Sequence, residues 1–111
     1  MKMELYVKPL SINAAFHGRH VKTRKCREYD ALLNMVLLGQ KKLKYEYYKI
    51  KYMFYLKNFG NTDADNLVKV LQDAIVRRGI ISDDRRVIDY EIGKRRADSD
   101  KIVIEISEAV L

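Results

Sequence analysis

Residues 45–57 alternate between two faces for most of their length. Tyr48, Ile50, Tyr52, Phe54 and Leu56 point one way, with Glu46 interrupting that face at its start. Tyr45, Tyr47, Lys49, Lys51 and Lys57 point the other. A period of two, rich in aromatics, predicts a long strand with one side on the core. Residues 3–8 predict a first strand, which Pro9 ends. The period changes at Lys25: Tyr29, Leu32, Leu33, Val36 and Leu37 recur at three and four, so residues 25–42 predict a helix with one apolar face. Leu67, Val70, Leu71, Ala74 and Ile75 mark a second helix over residues 64–78, and Gly79 suits the left-handed position that stops it. Residues 86–96 and 101–107 predict a last pair of strands joined through residues 97–100, with Ile102, Ile104 and Ile106 on one face. Residues 10–24 have no period and read as an exposed basic loop. Residues 59–62 read as a turn and residues 80–85 as a short connection. The order β-α-β-α-β-β describes a single α+β domain over residues 1–111, one mixed or antiparallel sheet with two helices packed on it.

Composition narrows the class. At 111 residues and 48% hydrophobic the chain is long enough for one real core. No run of about 20 apolar residues is present, so no membrane helix is expected. The N-terminus carries no apolar stretch before a small-residue cleavage site, and a cytoplasmic location is the default expectation. The single Cys26 has no partner for an internal disulfide and fits a small core residue on a helix. Lys and Arg number 22 against 15 Asp and Glu, a net charge of +7. That balance suits a polyanionic partner, although solubility alone also explains a basic surface.

Against this basic background Asp63, Asp65, Asp83 and Asp84 fall close together in sequence. Carboxylates on a phosphate-attracting surface make sense if a divalent cation stands between them and the phosphate. Asp63 fits the N-cap of the second helix and Asp65 its first turn, where the helix N-terminus favours the ionised form of both. Asp83 and Asp84 follow the other end of that helix and can return to Asp63 and Asp65 only if the chain doubles back along the sheet. The plain alternative is that Asp63 is a cap and Ser82-Asp83-Asp84 a turn. Asp65, Lys69 and Asp73 recur at four and form one stripe. It reads either as a surface ion pair of little energetic value or as a lysine set beside a reacting phosphate. His17 and His20 suit Mg²⁺ less well than aspartate does.

Asp63-Ala64-Asp65-Asn66-Leu67-Val68-Lys69, Asp73-Ala74, Ile81-Ser82-Asp83-Asp84 and Val87-Ile88-Asp89-Tyr90 together resemble the RusA family of Holliday junction resolvases. The resemblance is strongest over residues 60–92. Pro9 with Asn13 adds a weaker match. The resemblance implies a small bacterial or phage endodeoxyribonuclease, a homodimer using Mg²⁺ or Mn²⁺ and no organic cofactor. It would resolve four-way DNA junctions by paired nicks in recombination and repair. It implies that Asp63, Asp65 and Asp84 are the metal-binding catalytic carboxylates, with Lys69 beside them. Asp83 would orient a ligand or a bound water. DNA contact is expected from Arg19, His20, Lys22, Arg24 and Lys25, and from Arg77, Arg78, Arg85 and Arg86 around the acidic loop, with Lys94, Arg95 and Arg96 adding to the same field. The competing readings are a nuclease for flaps or forks and a non-catalytic nucleic-acid-binding domain.

Overall fold

Tyr48, Ile50, Tyr52 and Phe54, which share one face in the alternating run, are all fully withdrawn from solvent in the computed structural model, which describes residues 1–18 and 20–111. In chain order the elements are β1 (Lys2–Leu5), α1 (Ile12–Ala15), β2 (Phe16–His17), β3 (Val21–Lys22), α2 (Arg24–Val36), β4 (Tyr48–Leu56), α3 (Val68–Arg77), β5 (Val87–Arg96) and β6 (Lys101–Glu108). Short 3₁₀ turns at Phe59–Asn61, Ala64–Leu67 and Asp84–Arg86 flank α3. The α+β class and the mixed sheet agree with expectation, with three α-helices rather than two among the described residues.

The main sheet has the order β1-β6-β4-β5. β6 pairs antiparallel with both β1 and β4, and β4 pairs parallel with β5. The last two strands therefore flank β4 instead of pairing with each other. Residues 97–100 cross the end of β4, where the Ala97 amide donates to the Leu56 carbonyl at 3.1 Å and the Lys57 amide donates to Asp100 Oδ1 at 3.0 Å. A parallel neighbour needs a crossover, and residues 57–86, with α3 among them, supply it.

The core joins the inward rows of β1, β4 and β6 to Leu33 of α2, Leu37 at its C-cap, and Leu71 and Ile75 of α3. Burying such side chains contributes about 1.5–3 kcal/mol each. On the opposite face of β4, Lys49 is exposed and Lys51, Met53 and Tyr55 are half-buried.

Two segments on the N-terminal side of β4 also differ from the sequence expectation. Residues 10–24 hold α1 and a small β2–β3 hairpin, each too short to carry a period. Ser11 caps α1 through its side chain, and Thr23 caps α2 by accepting from the Cys26 amide. Thr23 Oγ1 also donates to the Ala14 carbonyl at 2.8 Å, which ties the end of α1 to the start of α2. α2 stops at Val36 rather than running to residue 42, and Gly39 takes φ +81° just beyond it. At the end of α3, Gly79 has φ +75° and the Ile80 amide closes onto the Ile75 carbonyl at 3.1 Å.

Candidate active site

The helical ladder starts later than the spacing predicts. Ala64–Leu67 is a 3₁₀ turn and α3 begins at Val68. Asp63 holds the N-cap position in extended backbone, but its side chain accepts no capping hydrogen bond. Its main chain is fixed instead from β5: Lys94 Nζ donates to the carbonyls of Phe59 and Thr62, each at 2.8 Å, and stands 4.3 Å from the Phe59 ring centroid. Lys94 was expected in the DNA-facing field; its ammonium is turned inward to hold the turn that precedes Asp63.

The acidic loop at the other end of α3 hangs on β4. The buried Tyr48 hydroxyl donates to the Leu43 carbonyl at 2.8 Å and accepts from the Ser82 amide at 3.3 Å. Beyond Ser82, Asp83 accepts from the Arg85 amide and from the Arg85 guanidinium, both at 2.9 Å. Those hydrogen bonds to Arg85 hold the Asp83 carboxyl well below the usual carboxylate range. Asp83 is thus committed within its own turn.

Asp65 and Asp84, from opposite ends of the crossover, line one open groove of about 400 Å³. Asp65 of the 3₁₀ turn and Val68, Lys69, Gln72 and Asp73 of α3 line one side, and Tyr90 and Ile92 of β5 line the other. Lys69 Nζ donates to Asp73 Oδ1 at 2.9 Å. That bond first, and the nearby Asp84 in addition, raise the lysine above its ordinary value, so its charge persists further into alkaline pH. Asp63 lines an adjoining recess, across the 3₁₀ turn, with Lys8, Asn13 and Lys25. Of the four aspartates expected to gather, Asp65 and Asp84 share the groove, Asp63 opens on the recess and Asp83 is turned to Arg85. Among the described residues no three acidic, histidine or cysteine side chains stand together as a metal cage. Also among the described residues, Asp63, Asp65 and Asp84 have no ion-pair partner, while Asp30, Asp73 and Asp83 do.

The expected DNA contacts divide in the same way. Lys22 is paired with Asp30 at 2.6 Å, and Arg24 with Glu28 at 3.0 Å. Arg77 donates to Asn34 Oδ1 at 3.1 Å and sits 3.6 Å from Asp30. Arg85 is taken by Asp83, and Arg86 donates to the Glu46 carbonyl at 3.1 Å. Arg78 is half-buried, with its Nε enclosed. His20 and Lys25 are exposed, and Lys25 opens on the Asp63 recess. Arg19 lies outside the described residues.

Sequence reading passed over Lys8, Gln72 and Ile92. Gln72 borders the apolar stripe of α3 and is buried. The available signal was Tyr52, a hydroxyl on a wholly buried strand face that needs a partner. No curated protein matches the chain. A family model described as endodeoxyribonuclease RusA matches residues 11–107, a span that contains every residue of the groove and all of the recess lining except Lys8, Pro9 and Leu10.

Proposed function

The chain belongs to the RusA endodeoxyribonuclease family, and from that premise we propose that it resolves four-way DNA junctions by paired, symmetric nicks that depend on a divalent cation. The observation that carries this reading is the pair Asp65 and Asp84, free of ion-pair partners among the described residues, on one groove with Lys69 in a chain of net charge +7. In this reading Asp65 and Asp84 hold Mg²⁺ or Mn²⁺ from the groove, and Asp63 contributes from the adjoining recess. The donor chemistry fits, because Mg²⁺ commonly takes one or two carboxylates and completes its shell with water and substrate phosphate. When bound, the cation supplies charge neutralisation at the leaving oxygen and a more acidic attacking water. Lys69 sets a fixed positive charge against the phosphate oxygens, and Asp73 holds its ammonium in place. Val68 and Ile92 narrow the groove with apolar surface. Lys25, His20 and Lys8 supply positive or polar contacts to the neighbouring backbone.

One groove makes one nick, so two opposed nicks need two copies of the chain. We place the contact on the free edge of β5. That strand is acidic in its first half, at Asp89 and Glu91, and basic in its second, at Lys94, Arg95 and Arg96. Antiparallel pairing of two copies about Ile92 sets Asp89 of one opposite Arg95 of the other and brings the two Ile92 residues, now exposed at 39%, opposite each other.

The test is nicking of a mobile four-way junction beside flap, fork and duplex substrates, with and without Mg²⁺. Asp65→Asn and Asp84→Asn are each expected to slow nicking by about 10³-fold or more while junction binding in Ca²⁺ persists, because the lost interaction acts in the transition state. Full-speed cleavage by either variant would remove these carboxylates from the mechanism. Equal cleavage of flaps would favour the broader nuclease, and absence of any Mg²⁺-dependent nicking the non-catalytic reading.

A further inference from the structure

A hydrogen-bonded relay runs from the core to the groove. The fully buried Tyr52 hydroxyl donates to Gln72 Oε1 at 2.8 Å, and Gln72 Nε2 donates to the Tyr90 hydroxyl oxygen at 2.7 Å. Gln72 is the buried polar side chain of the core among the described residues. The direction of the relay follows from its inner end. Tyr52 lies in apolar surroundings with Gln72 as its partner, and a buried hydroxyl proton without an acceptor is costly. The Tyr52 proton therefore goes to the amide oxygen, which turns the amide nitrogen toward Tyr90. Tyr90 receives at its oxygen and keeps its own proton free. Its ring lines the groove with Asp65, Lys69, Asp73 and Asp84. Those neighbours are charged and Tyr90 is a neutral donor.

From this geometry, and resting on the nuclease reading above, we infer that Tyr90 is a substrate-contacting residue that donates its hydroxyl proton as a hydrogen bond to a non-bridging oxygen of the phosphodiester in the groove. Gln72 and Tyr52 are positioning residues that fix the direction of that donation. Phosphoryl oxygens gain charge as the attacking oxygen approaches, so a donor fixed in advance acts most strongly in the transition state. A neutral donor also adds no cation to compete for the carboxylates.

The experiment compares single-turnover nicking of a mobile junction by the wild type, Tyr90→Phe, the pair Tyr52→Phe/Gln72→Leu, and the triple variant, with junction affinity measured in Ca²⁺. Tyr90→Phe keeps the ring and is expected to slow nicking about tenfold with affinity within about twofold of wild type. The relay pair removes both buried polar groups together. It is expected to slow nicking less than Tyr90→Phe does and to add nothing further in the Tyr90→Phe background, a non-additivity that general loosening of the fold does not give. An active wild type matched in rate by Tyr90→Phe overturns this inference alone, as does full additivity of the pair. An inactive wild type overturns the nuclease reading and this inference with it.

Discussion

Lys94 shows how one side chain can carry the placement of another. Its ammonium satisfies two carbonyls, of Phe59 and Thr62, in the stretch where the chain leaves β4 and turns toward Asp63. Without it both carbonyls need water, and the turn loses its anchor to β5. Lys94→Met keeps most of the aliphatic stem and removes the donors. The variant is expected to lose about 1–3 kcal/mol of stability, given the usual worth of hydrogen bonds from a charged group. Nicking should fall further than stability does, because Asp63 is no longer held. Thermal and urea unfolding together with the junction assay check this. Wild-type stability and rate in Lys94→Met would show that Asp63 is placed by something else. Nothing in the sequence singles out Lys94 from Arg95 and Arg96 beside it. Facing the helix layer sets it apart from Arg95, since it pairs in register with Phe54 of the buried row; Arg96, in register with Leu56, shares that face, and it is the Lys94 ammonium that reaches the two carbonyls.

At the level of elements, β4 is both an inner strand of the sheet and the anchor for α3, through Tyr52 and Gln72, and for the acidic loop that follows it, through Tyr48 and Ser82. Its two fully buried tyrosines place hydroxyls in the core, and each hydroxyl reaches out to a segment that carries site residues. Tyr48→Phe leaves the Leu43 carbonyl and the Ser82 amide short of a partner. It is expected to cost about 1–3 kcal/mol and to accelerate amide exchange around residues 80–84. Hydrogen exchange unchanged there would mean that the acidic loop is held by its own turn. β4, α3 and β6 were legible in the sequence because each buries one face, and burial writes a period into the chain. The 3₁₀ start of α3 was not legible, because Ala64 to Leu67 suit either helix and tertiary contacts decide. The β2–β3 hairpin was not legible because two-residue strands leave no period. The strand order was not legible either: a four-residue link between β5 and β6 looks like a hairpin until β4 is seen between them. Asp65, Lys69 and Asp73 were readable as one stripe from their spacing. That Asp84 reaches the same groove, and that Asp63 opens on a different recess, depends on how the crossover closes.

At the scale of the whole molecule, a body of 35 × 30 × 25 Å presents a groove with Asp65 and Asp84 on it, and β5 is a ten-residue edge strand with no strand paired on its outer side among the described residues. A long free edge is a template for another strand. In the proposed dimer the charge order along β5 favours antiparallel self-pairing: parallel pairing in register would stack like charges, whereas antiparallel pairing sets opposite charges against each other. The main-chain bonds of such a pair lie in the plane of the sheet, so the groove above Tyr90 and Ile92 stays open on each copy. Arg95→Glu then places two acidic side chains opposite each other, and the dimer should weaken by about tenfold or more, as read by sedimentation at micromolar concentration. Asp89→Arg combined with Arg95→Glu restores opposite charges in exchanged positions and should recover the dimer. Loss of dimer should also uncouple the two nicks, leaving singly nicked junctions as the product. A wild type that stays monomeric at micromolar concentration yet cuts both strands in concert would require a second cleavage centre in the same chain. A wild type that dimerises equally well with Arg95→Glu would move the contact to the open face of β4, where Lys51 bridges Glu91 and Glu105 at 3.6 and 3.9 Å.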